Sequence, residues 1–261
     1  MSSLKEREIN FKDESEGSKA EPIQTHDKVN NVRNQAVKSI CKVKTSFGYQ
    51  GTGAIYQVVD KLVDKNRFLF MTCNHVLPTT SRIEIAQTTL EFEEIPQMAN
   101  IHLSKEDILF VWTTKVLDAT VIEISHNSAK LYSKYGAQFL KVGEAILNDQ
   151  VALVQYPTGK LSIAHGDIER LESNDVFYRM GTESGSSGAP LLTLDCVAIG
   201  IHKAASEGSK TYQPNLDRKA TSLIAILNVF LREYLEIQNQ TITLKDQLVC
   251  LRYLFSKSCT Y

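Results

Sequence analysis

Gly185-Ser186-Ser187-Gly188-Ala189-Pro190, with Thr182 just upstream, is the stretch whose residue types and spacing point most directly to chemistry. A serine between glycines in G-x-S-G-x-P predicts a tight turn whose backbone N–H groups converge on one point. A carbonyl oxygen that gains negative charge during acyl transfer needs such a point. Serine is a poor nucleophile at its own pKa. It needs a base, and the base needs a group that fixes its tautomer. His75 follows a strand-like apolar run at 67–73, and Asp118 opens another at 119–124. These residues suit a division of labour: Ser187 as nucleophile, His75 as base, Asp118 as orienting carboxylate. The N–H groups of Gly185 and Ser187 are the expected oxyanion hole. Ser184 and Ser186 are the alternatives to Ser187, and Asp107, which also precedes an apolar run, is the alternative to Asp118. His26, His102, His126 and His165 lack such context and read as surface or core residues.

Composition sets the background. The chain has 261 residues, 43% of them hydrophobic, enough for a sizeable core. Its formal charge of -1 gives no global field that would select nucleic acid or an anionic membrane. The expected partner is a protein or peptide substrate, with no nucleic acid and no membrane; the oligomeric state stays open. Five cysteines at irregular spacings, with no C-x-x-C, argue against zinc and thioredoxin-type chemistry. No metal and no organic cofactor is expected. The thiols read as reduced, as in a cytoplasmic protein. The first residues, MSSLKEREINFKDESEGSK, hold no apolar core of a secretory signal, and no apolar run approaches the roughly 18 residues of a membrane span.

The elements that must position these residues are mostly short strands. Residues 1–30 are polar and charged and are expected to be disordered. Strands are expected at 36–44, 54–59, 67–73, 82–89, 101–103, 108–112 and 119–124. Residues 129–143 read as a connection. A second series follows at 150–155, 163–169, 176–180, 190–194 and 196–202. Many short strands separated by turns argue for a barrel or sandwich. Apolar residues recur at helical spacing over 222–238, a helix suited to closing the second half, although 221–226 also suits the end of a strand. The tail 241–261 carries an apolar cluster expected to dock on the body.

The order His, Asp, Ser and the local motifs resemble the trypsin/chymotrypsin-like serine protease superfamily. The motifs are G-T-G-A at 51–54, T-C-N-H-V-L at 72–77, L-D-A-T-V-I-E-I at 117–124 and G-S-S-G-A-P at 185–190. The resemblance implies an all-β fold of two antiparallel six-stranded barrels with a C-terminal helix. Barrel one falls at about 31–130 and barrel two at about 145–240, within a protease domain of 31–240. It implies a serine endopeptidase with His75 and Asp118 from the first barrel and Ser187 from the second. In motif the chain is most similar to glutamyl endopeptidase-like and intracellular trypsin-like proteases. Secretory trypsins carry Asp where Ser186 stands, so activation by an ion pair to a freed N-terminus is not expected.

Six residues before Ser187 stands Gly181, so the counter-charge that selects Arg or Lys is missing. Thr182 and His202 stand where the glutamyl endopeptidases place a Thr and a His that bind substrate Glu or Gln. A hydroxyl and an imidazole can both donate to a carboxylate or amide oxygen. Residues 203–205 would offer a strand edge to the substrate backbone. Some intracellular relatives with a similar segment prefer aromatic residues. Two other readings stay open: a catalytically silent protease-fold binding module, and a viral-type processing protease that trims its own ends.

Overall fold

The computed structural model describes residues 23–46, 48–60, 65–205 and 218–237. The first described element is α1 (Ile23–Ala36), followed by a short 3-10 turn and β1 (Ile40–Thr45). There follow β2 (Gly48–Asp60), β3 (Lys65–Thr72), α2 (Arg82–Ala86), β4 (Thr89–Glu91), β5 (Ile101–His102), β6 (Ile108–Thr114) and β7 (Ala119–Ile124). After α3 (His126–Lys134) come β8 (Lys141–Val142), β9 (Gln150–Gln155), β10 (Ser162–Glu172), β11 (Asp175–Tyr178), β12 (Pro190–Thr193), β13 (Val197–Ala205), β14 (Arg218–Ser222) and α4 (Leu223–Ile237).

The strands form two sheets. The first is ordered β5-β4-β1-β2-β3-β7-β6. The second is ordered β12-β9-β10-β11-β14-β13-β8, and β12 also pairs with β13. That extra pairing closes six strands into a ring, with β8 attached outside it in parallel to β13. Two curled or closed antiparallel sheets and a C-terminal helix make this a chymotrypsin-like fold. The helical spacing over 222–238 reads correctly, and 218–222 finishes a strand before it.

Four local expectations change. The segment 82–89 alternates apolar residues as a strand would, yet 82–86 is helical. Ser81 caps α2 by accepting from the Glu84 N–H, and only Ile85 turns inward, leaving Ile83 57% exposed. The connection 129–143 contains most of α3, capped by Ser125. Order also starts earlier than expected: α1 covers 23–30, part of the stretch read as disordered, by burying Val29, Val32 and Ala36 at helical spacing. The fourth change concerns α4, which does more than close the second barrel. Its Phe230 packs against Phe110 and Trp112 of β6, and Glu233 accepts from the Trp112 indole N–H at 2.6 Å. Residues 1–22 and the tail 241–261 lie outside the described residues. Cys41, Cys73 and Cys196 are free thiols.

Candidate active site

His75 sits in the turn that ends β3. The Cys73 carbonyl accepts from the N–H groups of Val76 and Leu77, which folds the chain back on itself. Asp118 ends the turn between β6 and β7 in left-handed backbone (φ 48°), a conformation that aspartate tolerates better than most residues. Its carboxylate grips His75 twice. Oδ1 accepts from the His75 backbone N–H at 3.0 Å, and Oδ2 lies 2.7 Å from Nδ1. A ladder of side chains braces the two turns. Asn74 Nδ2 donates to Thr113 Oγ1 at 2.6 Å, Thr113 and Thr120 share a 2.7 Å bond, and Thr120 donates to the Leu77 carbonyl at 2.7 Å. From the second barrel, Thr221 Oγ1 donates to the Leu117 carbonyl at 2.8 Å, next to Asp118.

The loop carrying Ser187 runs between β11 and β12. Ser186 is fully buried and shapes it: its N–H donates to the Glu183 carbonyl, and its Oγ accepts from the Glu183 N–H, both at 3.1 Å. Burial and this engagement make Ser186 a structural residue. Gly185 and Gly188 adopt φ 96° and 90°, which a side chain would strain. Thr52 holds the loop from the first barrel. Its N–H donates to the Ser187 carbonyl at 2.8 Å, and its Oγ1 donates to the Gly185 carbonyl at 2.8 Å. A Cβ on Gly188 would stand 1.9 Å from the Thr52 carbonyl oxygen. The two barrels therefore meet backbone to backbone beside the serine. The Ser187 hydroxyl, half-buried, donates to the Lys203 carbonyl at 3.5 Å. Among the described residues it makes no hydrogen bond to His75.

Beyond Ser187 the wall is built by β13. The Ala189 carbonyl accepts from the His202 N–H at 2.9 Å, and the His202 carbonyl accepts from the Gly188 N–H at 2.8 Å. The His202 ring is buried, with Nδ1 2.6 Å from the Tyr178 hydroxyl. Burial, then the charge of Arg218, then His75, push its pKa down to about 3, so the ring is neutral. Thr182 is buried as well, and it is not hydrogen-bonded to His202. Cys73 joins the barrels by donating its S–H to the His202 carbonyl at 3.1 Å. Burial, followed by Asp118, raises that thiol, which keeps it protonated. β12 pairs with β13 only as far as Ile201, so among the described residues 203–205 keep that flank unpaired.

Cys73, His75 and Asp118 hold donor atoms within 4.8 Å of one another, the spacing of a metal site. Their hydrogen bonds account for the cluster: both Asp118 oxygens face His75, and the Cys73 thiol faces a carbonyl. His75 also lines a cavity of about 460 Å³, together with Gln50, Val76, Pro78, Glu84 and Gln87 among others.

Residues 51–201 match the model of the trypsin-like peptidase domain. The chain belongs to that family. Three solved structures share the fold. One is Rv3671c from M. tuberculosis H37Rv as an inactive serine-to-alanine mutant, at 14% identity and TM-score 0.55, covering 78% of this chain and 90% of that one. The same protease in its inactive form gives 16% identity and TM-score 0.54, with 78% and 93% covered. The HtrA-type protease AlgW with a decapeptide gives 12% identity and TM-score 0.55, with 81% and 68% covered. No curated protein matches the sequence.

Within this trypsin-like peptidase domain, the residues singled out by sequence take distinct places. His75 and Asp118 are in direct contact, and Ser187 lies on the facing loop docked by Thr52. Asp107 is occupied elsewhere: it accepts from the Ser104 N–H at 3.1 Å and from the Ser128 hydroxyl. Ser184 is exposed, and its carbonyl accepts from the Thr158 N–H. Sequence reasoning missed Thr52 and Tyr178. Thr52 stood in the quoted G-T-G-A motif without a role. Tyr178 stood in the expected strand 176–180, and only the register of that strand against β14 shows where it lies.

Proposed function

We propose that this protein is a serine endopeptidase in which His75, Asp118 and Ser187 act together. The observation that carries the reading is the two-point contact of Asp118 with His75. A carboxylate that holds Nδ1–H leaves Nε2 unprotonated, ready to accept a proton. In the proposed reaction the Ser187 hydroxyl turns from the Lys203 carbonyl toward His75; catalytic hydrogen bonds are often long before substrate binds. His75 takes the proton as Oγ attacks the peptide carbonyl. The Gly185 and Ser187 N–H groups face the oxygen that becomes negative. His75 then gives its proton to the leaving amine, and water hydrolyses the acyl-enzyme by the same route reversed. Asp118 stays ionised and stabilises the imidazolium.

The reading extends to specificity. With Tyr178 donating to Nδ1, the neutral His202 ring carries its proton on Nε2 and offers it to a substrate side-chain oxygen. That supports cleavage after Glu or Gln, with Thr182 as a second wall. Free buried thiols support limited proteolysis in a reducing, cytoplasmic setting.

Labelling by a fluorophosphonate tests the proposal. Wild type should react covalently, and Ser187→Ala should not. Wild-type protein that binds peptides tightly yet neither labels nor cleaves would instead identify a silent binding module.

A further inference from the structure

Arg218 opens β14 and is only 5% exposed. The strand register sets it opposite Tyr178 of β11. Tyr178 in turn holds the His202 ring at 2.6 Å. The guanidinium is close enough to both that its charge helps depress His202 and opposes the upward push of burial on Tyr178. A permanent positive charge therefore stands behind the pair proposed to meet the substrate side chain.

That charge lacks the carboxylate partner that other cations of the fold have. Arg67 lies 2.8 Å from both Asp60 and Glu123. Lys42 reaches Glu91 at 3.3 Å. Lys203 and Lys219 share Asp175 at 2.5 and 2.6 Å. Arg218, next to Lys219 in sequence, has no carboxylate partner among the described residues, and its buried Nε has no hydrogen-bond acceptor. A buried cation is costly unless an anion and hydrogen-bond acceptors meet it. The neutral His202 cannot supply that charge, and its N–H serves an amide oxygen as readily as a carboxylate.

We infer that Arg218 is the counter-charge for an acidic substrate side chain, so that the pocket selects Glu over Gln before the scissile bond. This rests on the endopeptidase reading and sharpens it. The Glu and Gln side chains have nearly the same shape, so what separates them is the charge and the amide NH2 that replaces one carboxylate oxygen, and a cation favours the carboxylate on both counts. Charge selection adds to the shared hydrogen bond from His202 and changes the ratio of the two substrates more than it changes either backbone contact.

Two peptides that differ only by Glu or Gln at the cleaved position test this in the full chain. Wild type should cleave the Glu peptide with kcat/KM at least about tenfold higher. Arg218→Met should lose at least about tenfold on Glu with little change on Gln, and Arg218→Lys should keep the preference. Equal cleavage of both peptides by wild type, or a Glu preference that survives in Arg218→Met, would overturn the inference. If Arg218→Met does not fold, wild type and Arg218→Lys decide. Binding to Ser187→Ala separates this inference from the endopeptidase reading. Tighter binding of the Glu peptide supports Arg218 even without turnover, and equal binding removes it. Failed fluorophosphonate labelling removes only the endopeptidase.

Discussion

Thr52 Oγ1 donates to the Gly185 carbonyl at 2.8 Å while accepting from the Tyr156 N–H at 3.2 Å. One hydroxyl from the first barrel thus ties down the proposed oxyanion loop of the second. Thr52→Val keeps the shape and deletes both bonds, the one to the half-buried Gly185 carbonyl and the one from the buried Tyr156 N–H. We expect a loss of about 1–3 kcal/mol in urea unfolding. We also expect kcat to fall more than KM rises, because the loop loses its position and the pocket does not. An unchanged kcat would show that the loop holds itself.

Gly188→Ala should be worse. Its Cβ would collide with the Thr52 carbonyl oxygen at 1.9 Å, in backbone that already has φ 90°. The barrels must separate there, at a cost above about 2 kcal/mol. Thermal unfolding compared with Gly136→Ala, where φ is 97° but nothing lies within 4 Å, separates the clash from the backbone strain.

Asp118→Asn preserves size and removes the charge proposed to stabilise the imidazolium. Its amide N–H can also favour the wrong His75 tautomer. By the behaviour of such triads, kcat should fall on the order of 10⁴-fold with KM little changed. Steady-state kinetics at neutral pH checks this. A fall of less than tenfold would remove Asp118 from the mechanism.

His202 makes stability depend on acid. Its pKa drops from 6.5 in the unfolded chain to about 3 in the fold, so the unfolded state binds the extra proton first. Stability from this residue is full above the unfolded value and is lost as pH falls from about 6.5 toward 3, by at most about 1.4 kcal/mol per pH unit. Urea midpoints measured across that window should flatten in His202→Gln. The same variant should lose activity on Glu and Gln peptides more than on others.

α4 should be indispensable to the first barrel as well as the second. Phe230 is fully buried against Phe110 and Trp112, so Phe230→Ala should cost about 3–5 kcal/mol. Hydrogen exchange should then show increased opening in β6, the strand that α4 covers.

Sequence alone determined the class of fold and much of its strand order. The runs 119–124 and 150–155 form β7 and β9 at those residues because each is rich in apolar, strand-favouring residues and is buried over nearly its whole length. G-S-S-G-A-P located the loop of Ser187, because glycines at 185 and 188 permit a turn that other residues resist. Periodicity misled at 82–86, where a local Ser81 cap outweighed strand-like alternation, and it was silent at 23–36, where three apolar residues suffice once a partner surface exists. Tertiary structure alone decided that Thr52 meets Gly185 across 133 residues, that Tyr178 takes the His202 ring, and that Arg218 stands behind them. Those relationships depend on how strands far apart in the chain align side by side. Nearby residues record a strand's own preferences, and they hold no record of which distant strand will lie beside it.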